Sequence, residues 1–375
     1  MNLQISDILL IFLIIQFIFF FLFLIMYPKG ERTRHILLAF FFLALSLNLY
    51  NYLSFRFFDF FSQFSEHLIF LGTAECFLIA PLLWLYIQAH TSQHFHFTWK
   101  KIFHLLPYLI FLGYLIIRFH LHSPEYMIRL LQENKVLPGN AFIILTGLLH
   151  VQILIYTIFI IRRLVTYRNQ IRNIYSSYET VNFNWVKYLI GGISIIWLMD
   201  IVRYLSRFFI PETFNIIETI LFIMLLIFSY LIIYKSLHQP QIFSGFDVST
   251  PSKQRSLSEQ SRKTYLQRLS ACMQKEKPYL IPDITLMNLA EKTRIPPRSL
   301  SEVINQELNK NFYDFINYYR VKEAVAMLKS EPQKTILAIL LESGFNSKSS
   351  FHVAFKKYTG KTPTQIKSSL QNVSN

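Results

Sequence analysis

Seven stretches of this chain are each long and apolar enough to be a membrane-crossing helix, and that sets what it can fold into before any motif is read. They cover residues 3–27, 36–55, 68–89, 102–119, 141–161, 186–209 and 214–234. About 20 apolar residues suffice to cross the hydrocarbon core. Past Tyr234 the hydropathy collapses and the charge rises. Residues 1–234 hold 16 Lys/Arg against 11 Asp/Glu, and residues 235–375 hold 21 against 11. The shorter portion therefore carries most of the net charge of +15. A chain that is 53% hydrophobic and only 16% charged departs from soluble proteins, in which about 25% of residues are charged. The expected fold is all-α: a polytopic transmembrane bundle over residues 1–236, a linker over 237–260 and a basic helical domain over 261–375.

Orientation follows from the basic residues between spans. One alternate set of connections carries Lys29, Arg32, Arg34, Lys100, Lys101, Arg162, Arg163, Arg168, Arg172 and Lys187; the other carries only Arg56, Arg118, Arg129, Lys135 and Arg207. The ten-residue set is expected inside, which puts the N-terminus outside and everything after Tyr234 in the cytoplasm. The first stretch lacks a basic leading segment and ends in Tyr27-Pro28-Lys29-Gly30, so it reads as a retained span and not a cleaved signal peptide.

Glu75, His150, Asp200, Arg203 and Glu218 lie within the expected spans. Ionisable groups are costly there and face the bundle interior or water. Asp200 and Arg203, three apart, share a helix face and can pair. The five are either an internal polar network that fixes helix packing or a pocket, open to the outside, for a small-molecule or envelope signal.

Two cysteines, Cys76 and Cys272, build neither a disulfide framework nor a metal site. His90, His94 and His96 read as a solvated loop, so no metal and no cofactor is expected. No phosphate-binding glycine loop, nucleophile elbow or metal-hydrolase motif is present, and an enzyme is not expected.

The polar portion begins with a linker rich in Ser and Thr that contains Pro240, Gly245 and Pro251. A short amphipathic helix with Tyr265, Leu266, Leu269, Cys272 and Met273 on one side follows, closed by Pro278 and Pro282. Two helix-turn-helix patterns come next. Leu286, Leu289 and Ala290 form one face, and Pro296-Pro297 restarts a helix through Leu300, Val303, Ile304 and Leu308. A long helix over 311–329 carries Phe312, Phe315, Ile316, Tyr319, Ala324, Val325 and Leu328 at helical spacing. Ile336, Ile339 and Leu340 precede a Gly344-Phe345 turn; Ser347 caps a helix with Phe351, Ala354, Phe355 and Tyr358, and Gly360 and Pro363 end it.

Gly344-Phe345, Phe351, Phe355-Lys356-Lys357-Tyr358-Thr359-Gly360 and Pro363 resemble the C-terminal signature of AraC-type regulators. Arg320, Ala324 and Leu328 are similar to that family's connecting helix, and Leu289-Ala290 with Leu300 to its first unit. The resemblance covers roughly residues 281–370. It implies two helix-turn-helix units on one connecting helix, binding double-stranded DNA in successive major-groove segments and controlling transcription in partnership with RNA polymerase. Together with the seven apolar stretches, this sets the expected location in the bacterial inner (cell) membrane, with membrane lipids as a further partner; whether a second copy of the chain is another is left open. The first unit departs from the family at Arg294 and Pro296, where Gly and Ser are usual. Proline fits the first turn but brings no capping hydroxyl. Asn309 replaces another frequent Gly, and Asn tolerates a left-handed backbone. Leu340 stands where a small Ala is usual.

Recognition helices offer N-terminal residues to bases and flanks to phosphates. The expected contacts are Arg298, Ser299, Ser301, Glu302 and Asn305 in the first unit. In the second they are Ser347, Lys348, Ser350 and His352, with Lys356 and Lys357 toward the backbone. For any one of them a solvated face is an equally ready explanation. A second functional class fits the same outline: a seven-span receptor or transporter whose basic tail binds anionic lipid or a partner protein. Lipid binding, however, does not call for a Gly344-Phe345 turn.

Overall fold

The computed structural model describes residues 3–27, 32–92, 95–133, 135–137, 140–176, 184–238 and 257–371; for 184–190, 235–238 and 371 it describes the backbone alone. Pro28, Lys29, Gly30, His94 and nearly all of the expected linker lie outside the described residues. The architecture is all-α, with no strand among the described residues. The chain divides into two units: Met1–Leu164 with Trp185–Gly245, and Val165–Asn184 with Phe246–Asn375.

The first unit contains α1 (Ile5–Met26), α2 (Arg32–Arg56), α3 (Cys76–His90), α4 (Trp99–His120, closed by a π turn), α5 (Pro124–Gln132), α6 (Ala141–Arg172, which continues into the second unit), α7 (Asn184–Phe209) and α8 (Phe214–His238). Among the described residues, five helices are long and apolar enough to cross a membrane: α1, α2, α4, α6 and the stretch Pro211–Tyr234, which takes in most of α8. Two of the seven expected stretches do not meet that measure. α3 has only 15 residues, about 22 Å at 1.5 Å per residue. Residues ahead of it are diverted into a turn at Phe70 (φ 66°) and Gly72 (φ 98°). There the backbone passes so close to the Leu47 carbonyl that a side chain at Gly72 would overlap it. α7 has 26 residues; over 191–209, where its side chains are described, it carries Asp200, Arg203 and Arg207. The core of the unit is aromatic: Phe17 and Phe42 are fully buried with ring centroids 5.6 Å apart.

The second unit is built on two cores that share one helix. α9 (Glu259–Lys275), α10 (Leu286–Thr293) and α11 (Pro297–Gln306) close over Leu269, Met273, Leu289, Leu300, Val303 and Ile304. α13 (Ile336–Glu342), α14 (Lys348–Thr359) and α15 (Pro363–Gln371) close over Ile339, Leu340, Phe345, Phe351 and Phe355. Between them runs α12 (Phe312–Ser330), which gives Phe312, Phe315 and Ile316 to the first core and Val321, Ala324 and Leu328 to the second. The helix spans both because its apolar positions recur every three to four residues over five turns.

Local chemistry sets the ends of these helices. Thr285 caps α10 in a reciprocal box with Asn288, Ser347 accepts from the Ser350 amide at the start of α14, and Gly360 ends α14 with φ 74°. Arg294 and Asn309, which replace glycines of the resembled pattern, both adopt left-handed backbones, with φ 53° and 49°. Pro296 precedes α11 without a capping bond, as the missing hydroxyl predicts. Residues of the 165–184 segment complete the unit. The Leu286 amide donates to the Ile174 carbonyl (2.8 Å), the Ser176 amide to the Ile284 carbonyl (3.3 Å), and Tyr175 pairs with Thr285 as an isolated antiparallel bridge.

Candidate nucleic-acid interface

The joint between the two helix-turn-helix units is organised by Arg320 on α12. Its side chain is among the most buried in the protein, 1% exposed. It donates from Nε to the Tyr279 carbonyl (2.7 Å) and from Nη2 to the Ile281 (2.8 Å) and Pro282 (2.7 Å) carbonyls. Its guanidinium also lies 5.6 Å from the Phe345 ring of the second core. Burial is the dominant influence on this group and pulls its pKa down to about 10, against the opposing pull of the Asp283 carboxylate. Gly344 presses on the same segment: its φ is 88°, and a Cβ there would lie 2.5 Å from the Tyr279 carbonyl oxygen. Asn346 donates to Asp283 (2.8 Å), so residues 279–283 also touch the entry to α14.

Helix α14 presents two faces. Phe351, Ala354 and Phe355 are buried, whereas Ser349, His352, Val353 and Lys356 form an exposed stripe at i, i+3, i+4 and i+7. Val353 is 66% exposed, the opposite of what an apolar residue on a packed helix should be. Lys348 is exposed beside the stripe. Lys357 is turned away from it and pairs with Asp314 of α12 (2.7 Å), next to a bond from the Tyr358 hydroxyl to the Asp314 carbonyl (2.9 Å). On α11 the exposed residues are Arg298, Asn305 and Gln306, with Ser299 half-buried.

Of the eleven contacts expected from sequence, Arg298, Asn305, Lys348, His352 and Lys356 are exposed on or beside the recognition helices, and Ser299 and Ser347 are partly so. Ser301 and Ser350 turn inward, 7% and 8% exposed. Ser301 accepts from Asn305 (3.2 Å), so the exposure expected of both serines is not found. Glu302 faces α9, accepting from the Leu257 amide (3.3 Å) with Arg262 at 3.9 Å. Lys357 is committed to Asp314. Ser349 and Val353 were missed, although both follow from placing the known inward residues of α14 on a helical wheel.

The ionisable groups of the apolar helices fall together more closely than expected. Arg203 holds Asp200 (2.8 Å) and lies 3.8 Å from Glu218; Glu218 holds Arg56 (2.9 Å), which in turn holds Asp7 (2.6 Å). Asp7 and Arg56 were not anticipated. His150 accepts from the Trp197 indole (3.3 Å), and Glu75 is buried with Oε2 unpartnered. No cluster of metal-binding side chains occurs among the described residues.

Residues 289–369 match the family model for a helix-turn-helix domain. An uncharacterized HTH-type transcriptional regulator of Staphylococcus aureus (strain COL) is 33% identical over 85 residues, which is 23% of this chain and 11% of that protein. The chain thus spans about a tenth of that relative's length. The C-terminal domain of AraT, a response regulator from Geobacillus stearothermophilus, is 28% identical and covers 31% of this chain and 88% of that one. Its TM-score of 0.25 is too low to carry an argument. The match takes in α11 to α14 with Arg320 and Gly344, and leaves out α9 and the segment 279–282 that Arg320 holds. Over residues 289–369 the C-terminal domain is a helix-turn-helix domain of the AraC type.

Proposed function

We propose that this chain is a membrane-anchored one-component transcriptional regulator that binds specific double-stranded DNA through its C-terminal domain, held on the cytoplasmic face. One observation carries the reading: a two-core helix-turn-helix domain with an exposed recognition stripe shares a chain with five helices long enough to cross a bilayer. The stripe suits duplex DNA. Val353 is placed for a thymine methyl and His352 for a base edge, with Lys348 and Lys356 toward phosphates. Arg298 and Asn305 give the first unit guanine- and adenine-matching side chains. The seven-span, N-terminus-out topology in the inner membrane follows from the basic-residue bias. α3 and α7 then cross within the bundle, where their shortness and charges are sheltered by neighbours. RNA polymerase, lipids and a second copy of the chain are the partners this reading requires or admits. The membrane unit is the sensor, with Asp200, Arg203 and Glu218 as the groups whose pairing differs between its states.

A footprint of genomic fragments retained by residues 256–375 tests the reading. Enrichment of a shared sequence is expected, with affinity falling steeply with salt. A folded tail that retains all duplexes alike would end it.

A further inference from the structure

The first unit encloses a cavity of about 220 Å³ walled by α1, α2, α3, α6, α7 and α8. Most of the wall is apolar, with Phe17, Phe42, Leu83, Ile160 and Phe228 among its members. One end is not. Tyr52, Asp200 and Arg203 all line the cavity, and they meet there: Arg203 bonds both the Asp200 carboxylate and the Tyr52 hydroxyl (3.2 Å).

The charge at that end has a sign. The linked groups are Asp7, Arg56, Glu218, Arg203 and Asp200, three carboxylates against two guanidiniums. Arg207, one turn beyond Arg203, is exposed and lies over the Phe214 ring that Arg203 also faces, but it is not one of these ion-paired groups. Among the three acids, the Asp7 and Glu218 side chains are 3% and 6% exposed, whereas that of Asp200 is 31% exposed. Asp200 is also the acid that lines the cavity. The acid with the most exposed side chain thus borders the cavity. A further acid, Glu75, immediately precedes Cys76 of the wall, and its Oε2 is buried without a hydrogen-bond partner.

Low dielectric magnifies such an imbalance. An anionic ligand would add a fourth negative charge beside Asp200, while an ammonium group would balance the cluster. Trp197, also in the wall, adds an aromatic ring of the kind that attracts cations, whereas the Tyr52 ring already faces the Arg203 guanidinium at 5.1 Å. We propose that this cavity binds an amphiphilic amine, with its apolar body among the phenylalanines and its ammonium group at Asp200. The proposal rests on the reading of the membrane unit as a sensor and names the chemistry of its signal.

The test uses the full-length chain in lipid nanodiscs and three matched probes: 4-phenylbutylamine, 4-phenylbutanol and 4-phenylbutyrate. Binding is followed by calorimetry and by the fluorescence of Trp197, with a Trp197→Phe control. Saturable binding of the amine is expected, at least about tenfold tighter than the acid, as one favourable charge contact of about 1.4 kcal/mol implies. Asp200→Asn should erase the amine's advantage over the alcohol and leave alcohol binding nearly unchanged, and Asp200→Glu should restore the preference. Leu225→Trp, which fills the cavity, should weaken amine and alcohol alike. Equal binding of the three probes, preference for the acid, no saturable binding, or an amine preference that survives Asp200→Asn would each overturn the proposal. Transcript profiling with the amine present separates this site from the sensor reading. Amine binding that leaves transcription unchanged keeps the site and refutes sensing there. Regulated transcription in a chain that does not bind the amine refutes the site alone.

Discussion

Replacing Arg320 by Met should destabilise the C-terminal domain by roughly 2–6 kcal/mol, although Arg320 touches no expected DNA contact. Arg320 supplies donors to three backbone carbonyls, those of Tyr279, Ile281 and Pro282, at 2.7–2.8 Å. Bonds from a charged donor contribute about 1.5–3 kcal/mol each, giving roughly 5–9 kcal/mol if they add. Against this stands the cost of burying the guanidinium. The fall of its pKa from 12.5 to about 10 corresponds to about 3 kcal/mol against the charged form. The net loss is then roughly 2–6 kcal/mol, since Met fills most of the space but donates nothing. A domain of this size has about 5–15 kcal/mol in total, so the variant should remain folded but marginal. Urea denaturation of residues 256–375 reads the change directly. That fragment contains every residue of both cores. Arg320→Lys should recover less than half, because a single ammonium lacks the planar fork that reaches three carbonyls. A Met variant within about 1 kcal/mol of the parent would show that the carbonyls find other partners and that Arg320 does not organise the joint.

Gly344→Ala should cost at least about 2 kcal/mol in the same assay, from a left-handed backbone and a Cβ against the Tyr279 carbonyl. Lys357→Ala should change stability by less than about 1 kcal/mol, as expected for a surface pair with Asp314. Lys356→Ala should weaken binding to all duplexes and lower the salt slope by about one, and Val353→Ser should relax preference at a single base position. Ser176→Pro in the full chain removes the amide that donates to Ile284, so hydrogen exchange at the Leu286 amide should accelerate.

The C-terminal domain was legible in the sequence because its signals are local. Gly344, Ser347 and Gly360 each have a conformational reason to be where they are, and the spacing of Phe351 and Phe355 needs no knowledge of distant residues. Asp200 with Arg203 was legible for the same reason. Glu218 was named with them, but Asp7 and Arg56, which complete the network, were not: they come from two further helices, and only packing brings them in. Ser301 and Ser350 misled because a serine's polarity does not say which way it faces; the buried residues beside each decide that. The third apolar stretch reads as one span, yet Phe70 and Gly72 take left-handed backbones where the chain crosses Leu47, and helix begins only at Cys76. Ile174–Ser176 gave no signal, because the segment joins its neighbours through backbone groups and a single serine hydroxyl.

The most direct test of the account places the membrane and DNA activities in a single measurement. Inside-out membrane vesicles carrying the full-length chain are sedimented with a mixture of the operator recovered from the footprint and a scrambled duplex of equal length. The account predicts that the operator sediments with the vesicles in preference to the scramble, and that Val353→Ser with His352→Ala removes the preference while the chain stays in the membrane. Equal sedimentation of both duplexes, or recovery of operator-binding chain only in the soluble fraction, would contradict it.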